Sequence, residues 1–419
     1  MIRFILLVGM VMVLQGCFNA SPKPQEIKTF TGENTYIMFA LEAENTHNYA
    51  SAAKLFKKVY KKTGNVIYLY RALSDRLAAR DFNQVFKTAS YYSLKLKTNS
   101  MIKRYKVLAL INLKKYNTAK KEALALVNQT HKNSDYILVS DVYIKQKRYR
   151  MALDYLESAY AANHNVRLLK RIATILFVNL QKPRDAVAYL ETYIHINGCG
   201  DGVCNLLAGF YSNENNINGM LSTYLRMYNI NPSKKIAKDI VNIYEYTQNY
   251  PQLMLFLQRC HCNDKFLLSL YVYSNMYDKA ADVAKSLYKK TYNANYLAQS
   301  AMFEYESLQS KATSKQLADI VHELKKAVSY DSKAIYLNYL GYLMIEHDID
   351  IKQGIRYVKM ALKKDPDSAY YIDSLALGYY KLHDCQRAYR LIEKVKHDIG
   401  LKNSEINSHY MMIHSCKEK

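Results

Sequence analysis

Between Asp81 and Tyr193 the chain repeats one arrangement of apolar positions: an aromatic, a compact residue three places on, and another hydrophobe four beyond that. It reads Phe82, Val85, Ala89; Tyr116, Ala119, Ala123; Tyr149, Ala152, Leu156; and finally Ala186, Leu190. Steps of three and four residues place such side chains on one face of a helix. The compact residues at 85, 119, 152 and 186 are 34, 33 and 34 apart, and a recurrence near 34 in helix-forming sequence predicts stacked helical hairpins. Extended in both directions, the compact position falls at Ala52, Val85, Ala119, Ala152, Ala186, Met220, Leu253, Ala280, Ile320, Gly354 and Ala388. Two steps are irregular, 27 before Ala280 and 40 after it, and together they span two ordinary periods. A shortened junction and a compensating insertion near Ser307 to Ser314 are therefore expected.

Each period reads as two amphipathic helices, the second opening just after the aromatic. A small central residue lets the two helices approach closely. Proline placement agrees: Pro183 and Pro251 begin second helices, where the missing N–H costs nothing, and Pro232 and Pro366 close repeats. Glycine and proline are scarce, at 13 and 6 of 419 residues, and no linker-like break follows residue 32, which favours one continuous array over separate domains. Hairpins about 10 Å apart would form a curved rod on the order of 100 Å long, held by neighbour contacts.

The amino terminus adds a compartment. Met1-Ile2-Arg3 precedes an apolar run from Phe4 to Leu14, too short to span a bilayer comfortably and suited to a signal-peptide core. Leu14-Gln15-Gly16-Cys17 resembles the bacterial lipobox, which implies removal of residues 1–16 and lipidation of Cys17. Phe18 follows, where an aspartate would argue for inner-membrane retention, so an outer-membrane lipoprotein facing the periplasm is expected. Residues 17–32, with Ser21-Pro22-Lys23-Pro24, read as the lipidated cysteine and a tether. Lys and Arg exceed Asp and Glu by 59 to 36, a surplus that suits nucleic acid, anionic lipid or acidic protein. Export removes nucleic acid as the natural partner.

The last repeats carry the most recognisable motif. Leu337-Asn338-Tyr339-Leu340-Gly341-Tyr342 leads to Ala361 and Asp365-Pro366, and Asp373-Ser374-Leu375-Ala376-Leu377-Gly378-Tyr379-Tyr380 leads to Ala388 and Val395. Ala327, Ala361 and Val395 are 34 apart, as are Ser332, Pro366 and Gly400. The pattern resembles the tetratricopeptide repeat (TPR). The resemblance implies an all-α fold, a right-handed α-solenoid of about eleven TPR-like helical hairpins over residues 33–402, with residues 403–419 as a C-terminal capping helix and tail. The family's tryptophan is missing throughout; Ile372 and other medium-sized residues stand in its place. In the capping helix, Ser404 to Ser415, Tyr410, Met411 and Ile413 are placed to cover the last hairpin.

Six cysteines follow Cys17, an even number in an exported chain, so disulfides are expected. Cys385 and Cys416 lie 15 to 16 residues either side of a turn near 400 or 401, which would oppose them in an antiparallel pair. The Gly-rich loop from Asn197 suits a local Cys199–Cys204 bridge. Cys260-His261-Cys262 lies at the shortened junction. Zinc on these four thiols with His195 or His261 would have to bridge two repeats, about 20 Å, so no metal or other cofactor is expected. No phosphate-binding loop, paired-histidine motif or Gly-flanked nucleophile is present, and no enzyme activity is expected.

The TPR resemblance further implies a concave groove lined by first helices. Its offsets place Tyr70, Arg104, Arg171, Asn205, Lys238, Asn242, Lys265, Tyr336, Tyr339 and Tyr370 there. Lys238 and Asn242 match the first part of the family's carboxylate clamp; Phe266 and Glu306 stand where Asn and a basic residue are required, leaving a generic basic, Tyr-rich groove. Other envelope proteins are the expected partners, in outer-membrane biogenesis, pilus, motility or secretion assemblies. The alternative is an accessory lipoprotein that contacts cell wall or exopolysaccharide, which tyrosine and lysine also suit.

Overall fold

The structure, a computed structural model, describes residues 28–200, 202–308 and 311–417. The lipobox, Cys17 and most of the tether lie outside the described residues. Secondary structure among the described residues is helical, and most helices pack against the next in sequence. None of these helices is long and apolar enough to cross a membrane.

The chain divides into two compact units, one ending at Thr223 and the other starting at Tyr224, inside the helix Ile217–Ile230. In the first unit Glu33–Asn45 pairs with Tyr49–Thr63, Val66–Ala78 with Phe82–Lys95, Ser100–Asn112 with Tyr116–Thr130, and Asn133–Lys145 with Tyr149–Asn163. Val166–Thr174 runs on through a π turn, Ile175–Asn179, before Pro183–Asn197. Val203–Asn213 follows. In the second unit the pairs are Lys234–Tyr246 with Tyr250–Cys260, Asp264–Tyr273 with Tyr277–Thr291, Ala294–Leu308 with Ser314–Tyr330, Ala334–Glu346 with Ile351–Lys364, and Ala369–Lys381 with Cys385–Ile399. Ser404–Lys417 is the last helix.

The compact positions do what their spacing demands. Ala52, Val85, Ala119, Ala152, Ala186, Leu253, Ala280 and Ala388 have no exposed surface, and Ile320 has 1%. Gly354 shows why some must be small: a Cβ there would lie 2.7 Å from the Gly341 carbonyl oxygen, and a Cβ on Gly341 equally close to that of Gly354. Met220 departs from the register. It is only half-buried, and Thr223 takes the buried place, because Gly219 lies under the Tyr211 ring, where a Cβ would come within 2.6 Å. The irregular junctions fall as the 27 and 40 steps require: Tyr250–Cys260 has 11 residues where its counterparts have 14 or 15, and Ser314 opens a 17-residue helix behind a Thr313–Gln316 capping box.

The turns inside hairpins share a device that carries no glycine. His47, Arg80, Lys114, Lys147, Gln181, Asn215, Gln248, Asn275 and His383 each sit two residues before a second helix in the left-handed region, with φ between 53° and 61°. Around Lys114 the amide of Lys115 donates to the Leu110 carbonyl at 2.9 Å, which closes the first helix as a Schellman turn. Asn48, Asp81 and Asn249 then cap the second helices with their side chains.

The last helix buries Ile406 and Ile413, at 2% and 0% exposure, against Ile372, Ala388, Ile392 and Val395. Met411, expected at this interface, is 64% exposed; His409 is buried instead. Its Nδ1 lies 2.9 Å from Asp373 Oδ2. Ile372 packs into this core, in a chain that has no tryptophan.

Candidate partner-binding surface

Of the ten residues placed in the groove by sequence offsets, five are exposed and five are committed within the fold. Asn205, Lys238, Asn242, Lys265 and Tyr370 face solvent. Tyr336 is buried in core with Leu337 and Leu340. Arg104 grips Asp135 with two bonds, 2.5 Å from Nε and 2.8 Å from Nη2, and Thr130 donates its hydroxyl to the same carboxylate. Arg171 pairs with Asp141 at 2.5 Å, the Tyr70 hydroxyl accepts from Asn99 Nδ2 at 2.6 Å, and the Tyr339 hydroxyl donates to Glu306 at 2.7 Å.

These four belong to a wider set of polar ties between consecutive repeats. Tyr68 donates to Glu33, Tyr189 to Glu157 and Lys381 to Asp348 in the same manner. Burial raises the pKa of the Tyr189 and Tyr339 phenols, and the adjacent glutamates raise it further, so both hydroxyls remain donors. Burial alone would also raise Asp135, but the bonds from Arg104 and Thr130 outweigh it and hold the carboxyl below its usual range.

In the second unit Lys238 and Asn242 lie on one first helix and Lys265 on the next, whereas Asn205 lies in the first unit and Tyr370 on a later helix. Lys238 and Asn242 are followed one turn on by Tyr246, 78% exposed. Lys265 is followed at the same spacing by Ser269 and Tyr273, the latter 82% exposed. Tyr296, Gln299 and Phe303 come from the next first helix, and with Lys265, Leu268 and Tyr273 they line a cavity of about 520 Å³. Gln299 Oε1 is buried there and makes no hydrogen bond, leaving an acceptor for an incoming N–H. Of this surface the sequence offsets reached only Lys265; the four-residue step from it to Ser269 and Tyr273 was a signal that could have extended it, and Gln299 and Phe303 carried none.

A different cavity, of about 700 Å³, opens between second helices of the first unit. Tyr160, His164, Tyr189, Thr192, Tyr193 and Ile196 line it, and its lining includes no Lys, Arg, Asp or Glu. In the same unit a third recess, about 500 Å³ with Arg167, Lys170 and Arg171, lies on first helices; its Arg171 is already held by Asp141.

The structure brings the cysteines together in three local pairs: Cys199 with Cys204, Cys260 with Cys262, and Cys385 with Cys416, their Cα atoms 5.4, 5.1 and 5.7 Å apart. Among the described residues no cluster of three or more His, Cys, Asp or Glu is arranged to hold a metal.

The fold defines a protein of stacked helical hairpins. No family model and no curated protein matches the chain. It is similar to solved structures of helical-repeat proteins. The Cut9–Hcn1 hetero-tetramer of the APC/C matches over 93% of this chain and 91% of that one, at 12% identity and a TM-score of 0.35. YrrB, a TPR protein with an unusual peptide-binding site, matches over 47% and 98%, at 13% identity and 0.35. PilF of Pseudomonas aeruginosa matches over 48% and 93%, at 14% identity and 0.37. All three superpose loosely, and the architecture rests on the chain's own helix register.

Proposed function

We propose that the chain is a TPR-type scaffold, anchored through Cys17 to the outer membrane and facing the periplasm, which holds a partner protein in a cell-envelope assembly. The observation that carries this reading is the surface of the second unit around Lys265, Tyr273, Gln299 and Phe303. It offers aromatic faces for burial, a cation, and an unsatisfied buried acceptor within one recess of a size that suits a bound segment. The Leu14–Cys17 motif supports the anchor and, with it, the compartment. Outer-membrane biogenesis, pilus, motility and secretion complexes all fit this chemistry.

A second reading, contact with cell wall or exported polysaccharide, is favoured by the neutral, tyrosine-lined cavity at Tyr160, Tyr189 and Tyr193. Tyrosine offers an apolar face with a polar tip, which suits a sugar ring. Crosslinking in cells followed by purification separates the two: a stoichiometric protein supports the scaffold, and recovery of cell-wall fragments or polymer without one overturns it. The anchor is checked by labelling with radioactive fatty acid, which Cys17→Ala should abolish.

A further inference from the structure

The Cys260-His261-Cys262 segment takes no part in the surface described above, and its sulfurs differ from the other four. Cys260 is the last residue of the helix Tyr250–Cys260, and Asn263 caps the next helix by accepting the Phe266 amide. Cys262 stands between these fixed points and is the one exposed cysteine of the six from Cys199 onward. Its own amide N–H donates to Cys260 Sγ at 3.2 Å. By contrast, Cys204 is 3% exposed within its helix, and Cys385 and Cys416 are half-buried where Ile413, packed with Ala388, Ile392 and Val395, and Tyr410, bonded to Glu393, already hold the two helices together. A disulfide whose sulfurs are buried by surrounding packing resists reduction; one that is exposed to solvent is labile.

We propose that Cys260–Cys262 is an exchange-active disulfide that accepts two electrons from dithiols reaching the protein surface, while the other two pairs are structural. A donor thiolate attacks Cys262 Sγ, the sulfur open to solvent. A bond forms between those two sulfurs, the Cys260–Cys262 bond breaks, and its electron pair departs on Cys260 Sγ, where the Cys262 N–H stabilises the thiolate. The donor's second thiolate attacks its own sulfur in the mixed disulfide and releases Cys262 as a thiolate. The donor leaves as a disulfide, and protonation completes the cysteine dithiol. The site needs no partner on the first-helix surface, so it stands or falls independently of the scaffold reading.

Purified full-length chain, oxidised in air, is exposed to graded dithiothreitol, quenched and alkylated, and each cysteine is followed by mass spectrometry. Cys260 and Cys262 should become alkylated about tenfold faster or more than the other pairs. Cys260→Ser, incubated with oxidised glutathione, should accumulate a stable adduct on Cys262, whereas Cys262→Ser should give a slower adduct on the half-buried Cys260. Both variants should keep the helical circular-dichroism signal, since neither sulfur belongs to the core. Equal reduction rates at all three pairs would overturn the proposal, as would recovery of Cys260 and Cys262 as free thiols from protein whose other pairs are oxidised.

Discussion

Two joints between consecutive helical layers, one in each unit, are built around a buried carboxylate, and they differ in the cation. In the first unit Asp135, with no exposed surface, is held by Arg104. In the second, Asp373 meets His409, the two side chains 8% and 4% exposed. Arginine stays charged at any relevant pH, whereas histidine titrates near neutrality. The interior joint is permanent and the terminal one conditional. An interior repeat is braced on both sides, while the last helix packs on one side only, against Ala369–Lys381 and Cys385–Ile399, so a titrating pair there governs one docking event without disturbing the array.

The largest effect should come from removing the anion of the permanent joint. Asp135→Ala leaves the Arg104 guanidinium, 15% exposed, without its partner and should cost about 3–5 kcal/mol in urea unfolding. Because Asp135 titrates below the usual carboxylate range, the stability it contributes is present above that range and is lost as pH falls through the lowered pKa.

At the conditional joint, burial disfavours the His409 cation, but the hydrogen bond and charge of Asp373, with Glu405 and Glu346, outweigh it and raise its pKa above the ordinary value. A raised histidine contributes stability that is full below the unfolded value and is lost as pH rises through the folded one. Amide exchange in Ser404–Lys417 should therefore speed up above neutral pH more than exchange in Tyr116–Asn163, and Asp373→Asn should remove that difference.

A third buried carboxylate sharpens the comparison because its nearest bonded neighbour is another acid. Burial, and then Glu44, push Asp75 up to about 7, and its Oδ2 has no hydrogen-bond partner. The folded chain keeps this proton through the weakly acidic range where the unfolded chain releases it. Its stability contribution therefore falls as pH rises from the ordinary carboxylate range toward 7. Asp75→Asn should raise the urea midpoint at pH 8 relative to the unsubstituted chain and have less effect at pH 5.

The smallest effect tests the turns common to both units. Lys147 is exposed and left-handed, φ 59°. Lys147→Gly should stabilise by about 0.5–1 kcal/mol, since glycine adopts that conformation without a Cβ clash. A loss of stability would show that the Lys147 side chain contributes more than its backbone strain costs.

The hairpin register was legible because its positions are buried at a fixed period, and at Gly354 because a neighbouring backbone carbonyl leaves no room for a Cβ. It failed at Met220, where Gly219 and Tyr211 form a different close contact. The groove was legible only in part, because the family offsets give a position on a helix and not what that position touches. Arg104, Arg171, Tyr70 and Tyr339 each reach a partner 29 to 33 residues away in the adjoining repeat. Complementary polar residues about one period apart were the available signal. Tyrosine's abundance reads differently in that light: part of it ties repeats together, and part of it, as at Tyr273, remains for a partner.

The most direct measurement of the scaffold function places a photo-crosslinking amino acid at Tyr273 in cells, and separately at Tyr193. One discrete protein adduct from Tyr273 and none from Tyr193 is the expected result. Polymer or cell-wall adducts from Tyr193, with no protein adduct from Tyr273, would contradict it.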